Sequence, residues 1–207
     1  MLPVDPRLRA CSLALAFSLA GTGAALARAG RVQVTLPSEQ PSGNATVDQI
    51  PVEFHPAAAP EGAKTPAVVL LHPLGTKKLT EMRLFARYLA THSIGAAIMT
   101  LPYHMRRKPT GEKPGRRFVA HDVRKGVQAL GQSAADVSTV ANWLREQPSV
   151  DPERVGTIGV SLGAVVAHMA MGKDEQLTAG VAFSAEETSP TCAAAASSST
   201  FRRARRR

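Results

Sequence analysis

Residues 155–170, VGTIGVSLGAVVAHMA, place Ser161 between Gly159 and Gly163. A serine hydroxyl becomes a useful nucleophile only on an exposed turn, with donors for a developing oxyanion and a base to take its proton. An apolar strand-like run enters Ser161 and an apolar helix-like run leaves it, so the serine is expected at a strand-to-helix turn. The glycines let the two elements approach closely. The first N–H groups of the helix then favour negative charge beside Ser161.

No histidine stands in an obvious position to act as that base. His168 lies on the same helix as Ser161, about 10 Å down its axis, and reads as a core or interface histidine. His121 and Asp122 are adjacent, and adjacent helical residues point apart, so they read as a surface pair. His55 closes an early strand and is expected at the surface. His104 follows a strand end and is the one substitute base within sight of Ser161. Glu186 follows the last strand, where an orienting acid would be useful. His72, Tyr103, His104 and Glu186 all fall just after strand ends and are expected to line a substrate site. No metal and no cofactor is expected.

These residues need a frame that brings strand ends together. Residues 31–36 alternate apolar and polar, as a half-buried strand does, and 49–56 supply a second strand. Residues 66–75 and 95–102 are continuous apolar runs, expected of strands covered on both faces. Met82, Phe85, Ala86 and Leu89 recur at helical spacing, as do Val137, Val140, Ala141 and Leu144 within 119–147. Ser133 and Asp136 resemble a capping box. Residues 103–118, rich in Pro, Gly, Lys and Arg, read as a long exposed loop. Strands and helices therefore alternate, predicting an α/β fold: a doubly wound, mostly parallel sheet with helices on both faces and a site at the carboxyl ends of its strands.

The ends of the chain differ from its middle. Arg7 and Arg9 precede an apolar stretch closing on Ala25-Leu26-Ala27, so residues 1–27 read as a signal peptide and the protein as exported after cleavage near Ala27. That stretch is too short and too interrupted for a stable membrane span. Cys192 is the only cysteine beyond it, so no disulfide forms within the mature chain. The net charge of +9 is concentrated in the tail, through Arg202, Arg203, Arg205, Arg206 and Arg207. A basic terminus is ordinarily solvated; no nucleic-acid partner is expected, the tail being the only route to one. Residues 186–207 have low complexity and read as a disordered tail.

VVLLHPLG (68–75), VDPERVGTIGVSLGAVVA (150–167) and the order of elements between them resemble the α/β-hydrolase superfamily, in its dienelactone-hydrolase-like and prolyl-oligopeptidase-like esterase branches. The resemblance covers roughly 64–185 within a hydrolase domain of 28–185. It implies that Ser161 is a nucleophile acting on a small-molecule ester or similar acyl bond. It implies backbone oxyanion donors at Leu162 and Leu74, because Pro73 has no N–H. It also implies further strands carrying an acid and a histidine, which do not follow Ser161 here. The chain therefore reads as truncated or frame-shifted after its sixth strand, with that strand an exposed edge open to self-association. A catalytically silent binding module and an interaction protein using the Arg-rich tail are the two alternatives.

Overall fold

A computed structural model describes residues 30–60, 62–119, 121–183 and 198–202, the last as backbone alone. Residues 1–27, Glu186 and the arginines beyond Arg202 lie outside the described residues.

Alternation in the first segment gives β1 (Val32–Pro37), whose Val34 and Leu36 turn inward. It pairs antiparallel with β2 (Gln49–His55). The carboxylate of Asp48 holds the intervening turn, accepting from the Ser42 N–H at 2.7 Å, the Ser42 hydroxyl at 2.8 Å and the Gly43 N–H at 3.1 Å. The apolar runs become β3 (Thr65–Leu71) and β4 (Gly95–Met99), connected by α1 (Thr80–Thr91). Then come α2 (Val123–Arg145), β5 (Val150–Val160), α3 (Leu162–Lys173) and β6 (Ala179–Phe183).

The sheet order is β1-β2-β4-β3-β5-β6-β7, where β7 is Ser198–Arg202. The β4–β3, β3–β5 and β5–β6 pairs are parallel, and β1–β2, β2–β4 and β6–β7 are antiparallel. The expected α/β fold is present, with α1 on one face of the sheet and α2 and α3 on the other, but the sheet is mixed: a parallel centre, β4-β3-β5-β6, is flanked by antiparallel strands. Period-two alternation sorts the side chains. Val69, Leu71, Ala97 and Met99 join the core under α2 and α3, while Leu70, Ala96 and Ile98 pack under α1 with Met82, Ala86 and Leu89. No helix among the described residues is long and apolar enough to cross a membrane.

Four expectations change. The sixth strand is not an edge: β7 pairs with β6 from Ala179↔Arg202 to Phe183↔Ser198, so the tail holds a strand where its composition suggested none. Helix α2 is capped by Asp122, which accepts from the Arg124 N–H at 3.2 Å. Ser133 and Asp136 form no capping box; both are buried in mid-helix, and the Ser133 hydroxyl donates to the Ala129 carbonyl at 2.7 Å. His55 is buried rather than exposed, 2.9 Å from the Glu53 carboxylate.

The fourth difference concerns 103–118, which is an anchored connection containing 3-10 turns at Met105–Arg107 and Arg116–Val119. Tyr103, His104 and Arg107 are buried. The Arg107 side chain donates to the Val47 carbonyl at 2.7 Å, the Thr100 carbonyl at 2.9 Å and the Asp136 carboxylate at 2.7 Å. Asp136 also accepts from the Ser38 hydroxyl at 2.6 Å. Burial lowers the pKa of Arg107 and raises that of Asp136, and each partner's charge opposes that shift without cancelling it.

Candidate active site

The turn at Ser161 is built by close backbone contacts. Parallel pairing sets Gly159 beside Leu71 of β3 and Ala182 of β6. A Cβ at Gly159 would run into the Gly163 carbonyl, and one at Gly163 would come within 2.5 Å of the Leu71 carbonyl oxygen. Only glycine allows the first turn of α3 to sit this tightly on the strands. Ser161 between them has φ 52° and ψ −113°, a conformation rare for a residue with a side chain. It is held from both sides. Its N–H donates to the Phe183 carbonyl at 2.8 Å, and its carbonyl accepts from the Ala164 N–H at 2.8 Å.

The Ser161 side chain caps nothing in α3, and no hydrogen bond to its hydroxyl occurs among the described residues. Leu162 opens the helix, so its N–H has no intrahelical acceptor. No hydrogen bond from the Leu74 N–H occurs among the described residues either.

His72 and His104 end up in a reciprocal clasp instead of a catalytic pose. The Leu101 N–H donates to His72 Nε2 at 3.1 Å, and the Gly75 N–H donates to His104 Nε2 at 3.1 Å. Each ring's Nδ1 lies 2.9 Å from a local carbonyl, Pro73 for His72 and Pro102 for His104. An Nε2 that accepts a hydrogen bond carries no proton, so both rings are neutral with the proton on Nδ1. The rings pack edge to face with centroids 4.8 Å apart, and neither is exposed. Burial lowers the His72 pKa to about 4, helped by the neighbouring His104 and Arg107. Burial lowers His104 in the same direction, again with Arg107 nearby.

The clasp corrects two expectations. His104 has no ring nitrogen left to serve as a base, and neither histidine offers one to a substrate. Tyr103 also turns away, joining Val47, Ala129 and Phe118 in a small core, with the Arg117 guanidinium 5.3 Å from its ring centroid. The other histidines do not replace them. His55 is tied to Glu53, His92 contacts the Tyr88 carbonyl at the end of α1, His121 precedes α2, and His168 contacts the Ala164 carbonyl on α3. His168 is exposed on α3, so it is not a core residue. Among the described residues no group of three or more His, Cys, Asp or Glu could hold a metal ion.

In the sequence Arg107 is one of many basic residues in a loop, and nothing local marks it as buried. Its partner left a clue, since Asp136 stands four residues before Val140 on the apolar face of α2. Gly115 is likewise unmarked by its sequence neighbours. At φ 72° it lies over the clasp, where a Cβ would come 2.6 Å from Leu74 and 2.7 Å from His104.

Residues 56–200 match the dienelactone hydrolase family. No curated protein matches in sequence. Solved structures do. The α/β hydrolase GrgF from Penicillium sp. sh18 superposes with TM-score 0.53 at 18% identity, covering 74% of this chain and 45% of that one. A dienelactone hydrolase-like promiscuous phosphotriesterase from metagenomic libraries gives TM-score 0.54 at 20% identity, covering 74% and 58%. A cold-adapted esterase from an Arctic intertidal metagenomic library gives 0.51 at 18% identity, covering 72% and 57%. The chain spans about half the length of these structures. At such identities the likeness establishes the α/β-hydrolase fold.

Proposed function

Because the chain belongs to the dienelactone hydrolase family, we propose that it carries the nucleophile half of a serine hydrolase acting on a small-molecule ester or similar acyl bond. Ser161 Oγ attacks the acyl carbon, and the Leu162 and Leu74 N–H groups receive the developing oxyanion. The carbonyl then re-forms and expels the alkoxide, which leaves as the alcohol with the serine proton. Water completes the cycle on the acyl-serine. The observation carrying this reading is Ser161 held at φ 52° between two glycines that cannot be enlarged, its hydroxyl without a hydrogen bond among the described residues. Local strain maintained by surrounding structure is characteristic of functional positions.

The clasp bears on what this chain does alone. With His72 and His104 fully bonded, the proton of Ser161 has no imidazole to receive it, and turnover is expected to be slight. A catalytically silent module on the same fold is the second reading, favoured by that same clasp. Export after cleavage near Ala27 belongs with either reading.

A fluorophosphonate probe separates the two. Labelling of the purified chain, lost in Ser161→Ala, supports a competent nucleophile; absence of labelling in folded protein supports the silent module. On an activated short-chain ester little or no turnover is expected. A robust rate abolished by Ser161→Ala and kept by His104→Ala would reveal a base elsewhere in the chain.

A further inference from the structure

The face of the sheet that carries α1 is covered unevenly. Over β4 and β3 it is apolar and lies beneath the helix. Over β1 and β2 the residues of that face are Gln33, Thr35, Pro51 and Glu53, and there a cavity of about 550 Å³ opens. Thr100, beyond β4, extends its floor. Its walls are Lys77 and Lys78, ahead of α1, and Arg106 from the turn after β4. The β4–β3–β5 order puts β4 two strands from Ser161, roughly 10 Å across the sheet.

The charge in this cavity is lopsided. Four cationic side chains line it against one carboxylate, Glu53. That carboxylate is already engaged. Arg83 donates to both of its oxygens at 2.9–3.0 Å, and Arg31 reaches it from outside the cavity at 3.4 Å. Lys77, Lys78 and Arg106 therefore have no acidic partner among the described residues. Thr100 is 97% buried, and no hydrogen bond to its hydroxyl occurs among the described residues. Like charges gathered around a concave surface repel one another, and a bound anion reverses that repulsion while pairing the hydroxyl.

We propose that this cavity binds a small soluble molecule carrying a phosphate-type oxyanion. Such a group has several peripheral oxygens and more than one negative charge, so it can accept from Lys77, Lys78 and Arg106 together. A carboxylate presents only two oxygens and one charge, and satisfies this donor set less well. The site is independent of the proposed nucleophile.

The test is calorimetric titration of the full chain with pyrophosphate, with acetate as the monoanion control at matched ionic strength. Saturable one-site binding is expected for pyrophosphate, with acetate at least tenfold weaker. The triple variant Lys77→Gln, Lys78→Gln, Arg106→Gln should weaken pyrophosphate at least tenfold, and all three side chains are exposed enough for the fold to survive. Thr100→Val, close in shape, should weaken it severalfold. Ser161→Ala should bind as the parent does, whatever becomes of its labelling. The proposal is overturned if pyrophosphate does not saturate, or if the triple variant binds unchanged. It is also overturned if removing Lys64, Lys125 and Lys173, which lie elsewhere, weakens binding equally, since net charge alone would then explain it.

Discussion

The tips of β3 and β4 and the tip of β5 serve one end of the same sheet, and they treat their polar groups in opposite ways. At β3 and β4 every ring nitrogen of His72 and His104 is occupied, and the two loops lock each other through Leu101 and Gly75. At β5 the backbone is locked as tightly, through Phe183 and Ala164, yet the Ser161 side chain is left out of the network. One tip has its hydrogen bonds satisfied and its rings neutral. Left-handed residues occur at both, Tyr103 (φ 59°) and Met105 (φ 43°) after β4 and Ser161 (φ 52°) after β5; the β5 tip differs in its glycine crowding and in a hydroxyl with no hydrogen bond among the described residues. Proximity to a nucleophile therefore does not make a histidine its base; the free valence of the ring decides.

The sharpest way to break this contrast is to enlarge a glycine at the elbow. Gly163→Ala drives a methyl into the Leu71 carbonyl and is expected to cost about 3 kcal/mol or more, read by urea unfolding. A loss below 1 kcal/mol would mean that the elbow is not held by backbone crowding. Next come the clasp residues. His72→Ala strands the buried Leu101 N–H and is expected to cost about 2 kcal/mol, and His104→Ala, which strands the half-buried Gly75 N–H, about 1 kcal/mol. Fluorophosphonate labelling of Ser161 should survive in the folded fraction. Selective loss of labelling in His104→Ala, with stability intact, would turn the clasp into a catalytic element.

Acid probes the same difference. His72 is neutral when folded, with its pKa lowered from 6.5 to about 4, so between these values the unfolded chain binds the extra proton. Its contribution to stability is complete above pH 6.5 and is lost as pH falls toward 4, by up to about 1.4 kcal/mol per pH unit. His104 adds in the same direction. His72→Gln, whose amide can keep both hydrogen bonds without titrating, should flatten that slope. An unchanged slope would place the acid sensitivity elsewhere. The smallest effect belongs to the serine itself. Ser161→Gly relieves the positive φ and should stabilise the chain by about 1 kcal/mol, while Ser161→Ala keeps the strain and gains nothing comparable. Equal stabilities for the two would remove strain from the account.

Legibility varied with the range of the interaction involved. Strands β1 to β6 and helices α1 to α3 are readable, because each follows from apolar spacing within a few consecutive residues. The elbow was readable for the same reason: Gly159, Ser161 and Gly163 are close in sequence and their constraint is local. The Arg107–Asp136 pair joins residues 29 apart, and the Thr100 and Val47 carbonyls it also engages come from two further places in the chain. Composition made the surrounding loop look solvated, whereas one fully buried arginine anchors it. Strand β7 escaped notice because small polar residues carry no period; what places it is the open backbone edge of β6.

The sequence by itself determined the α/β alternation, the apolar strands that form the centre of the sheet, and the serine at a strand-to-helix turn. All of these are encoded by spacing along the chain. Only the tertiary structure decided which polar groups are spent. His72, His104 and Tyr103 stand after strand ends just as Ser161 does, and nothing in their identity distinguishes a catalytic group from a structural one. The distinction is made by the Gly75 and Leu101 N–H groups and by the carbonyls of Pro73 and Pro102, which meet the rings only once β3 and β4 lie side by side. A ring nitrogen can take one hydrogen bond, and folding assigns it.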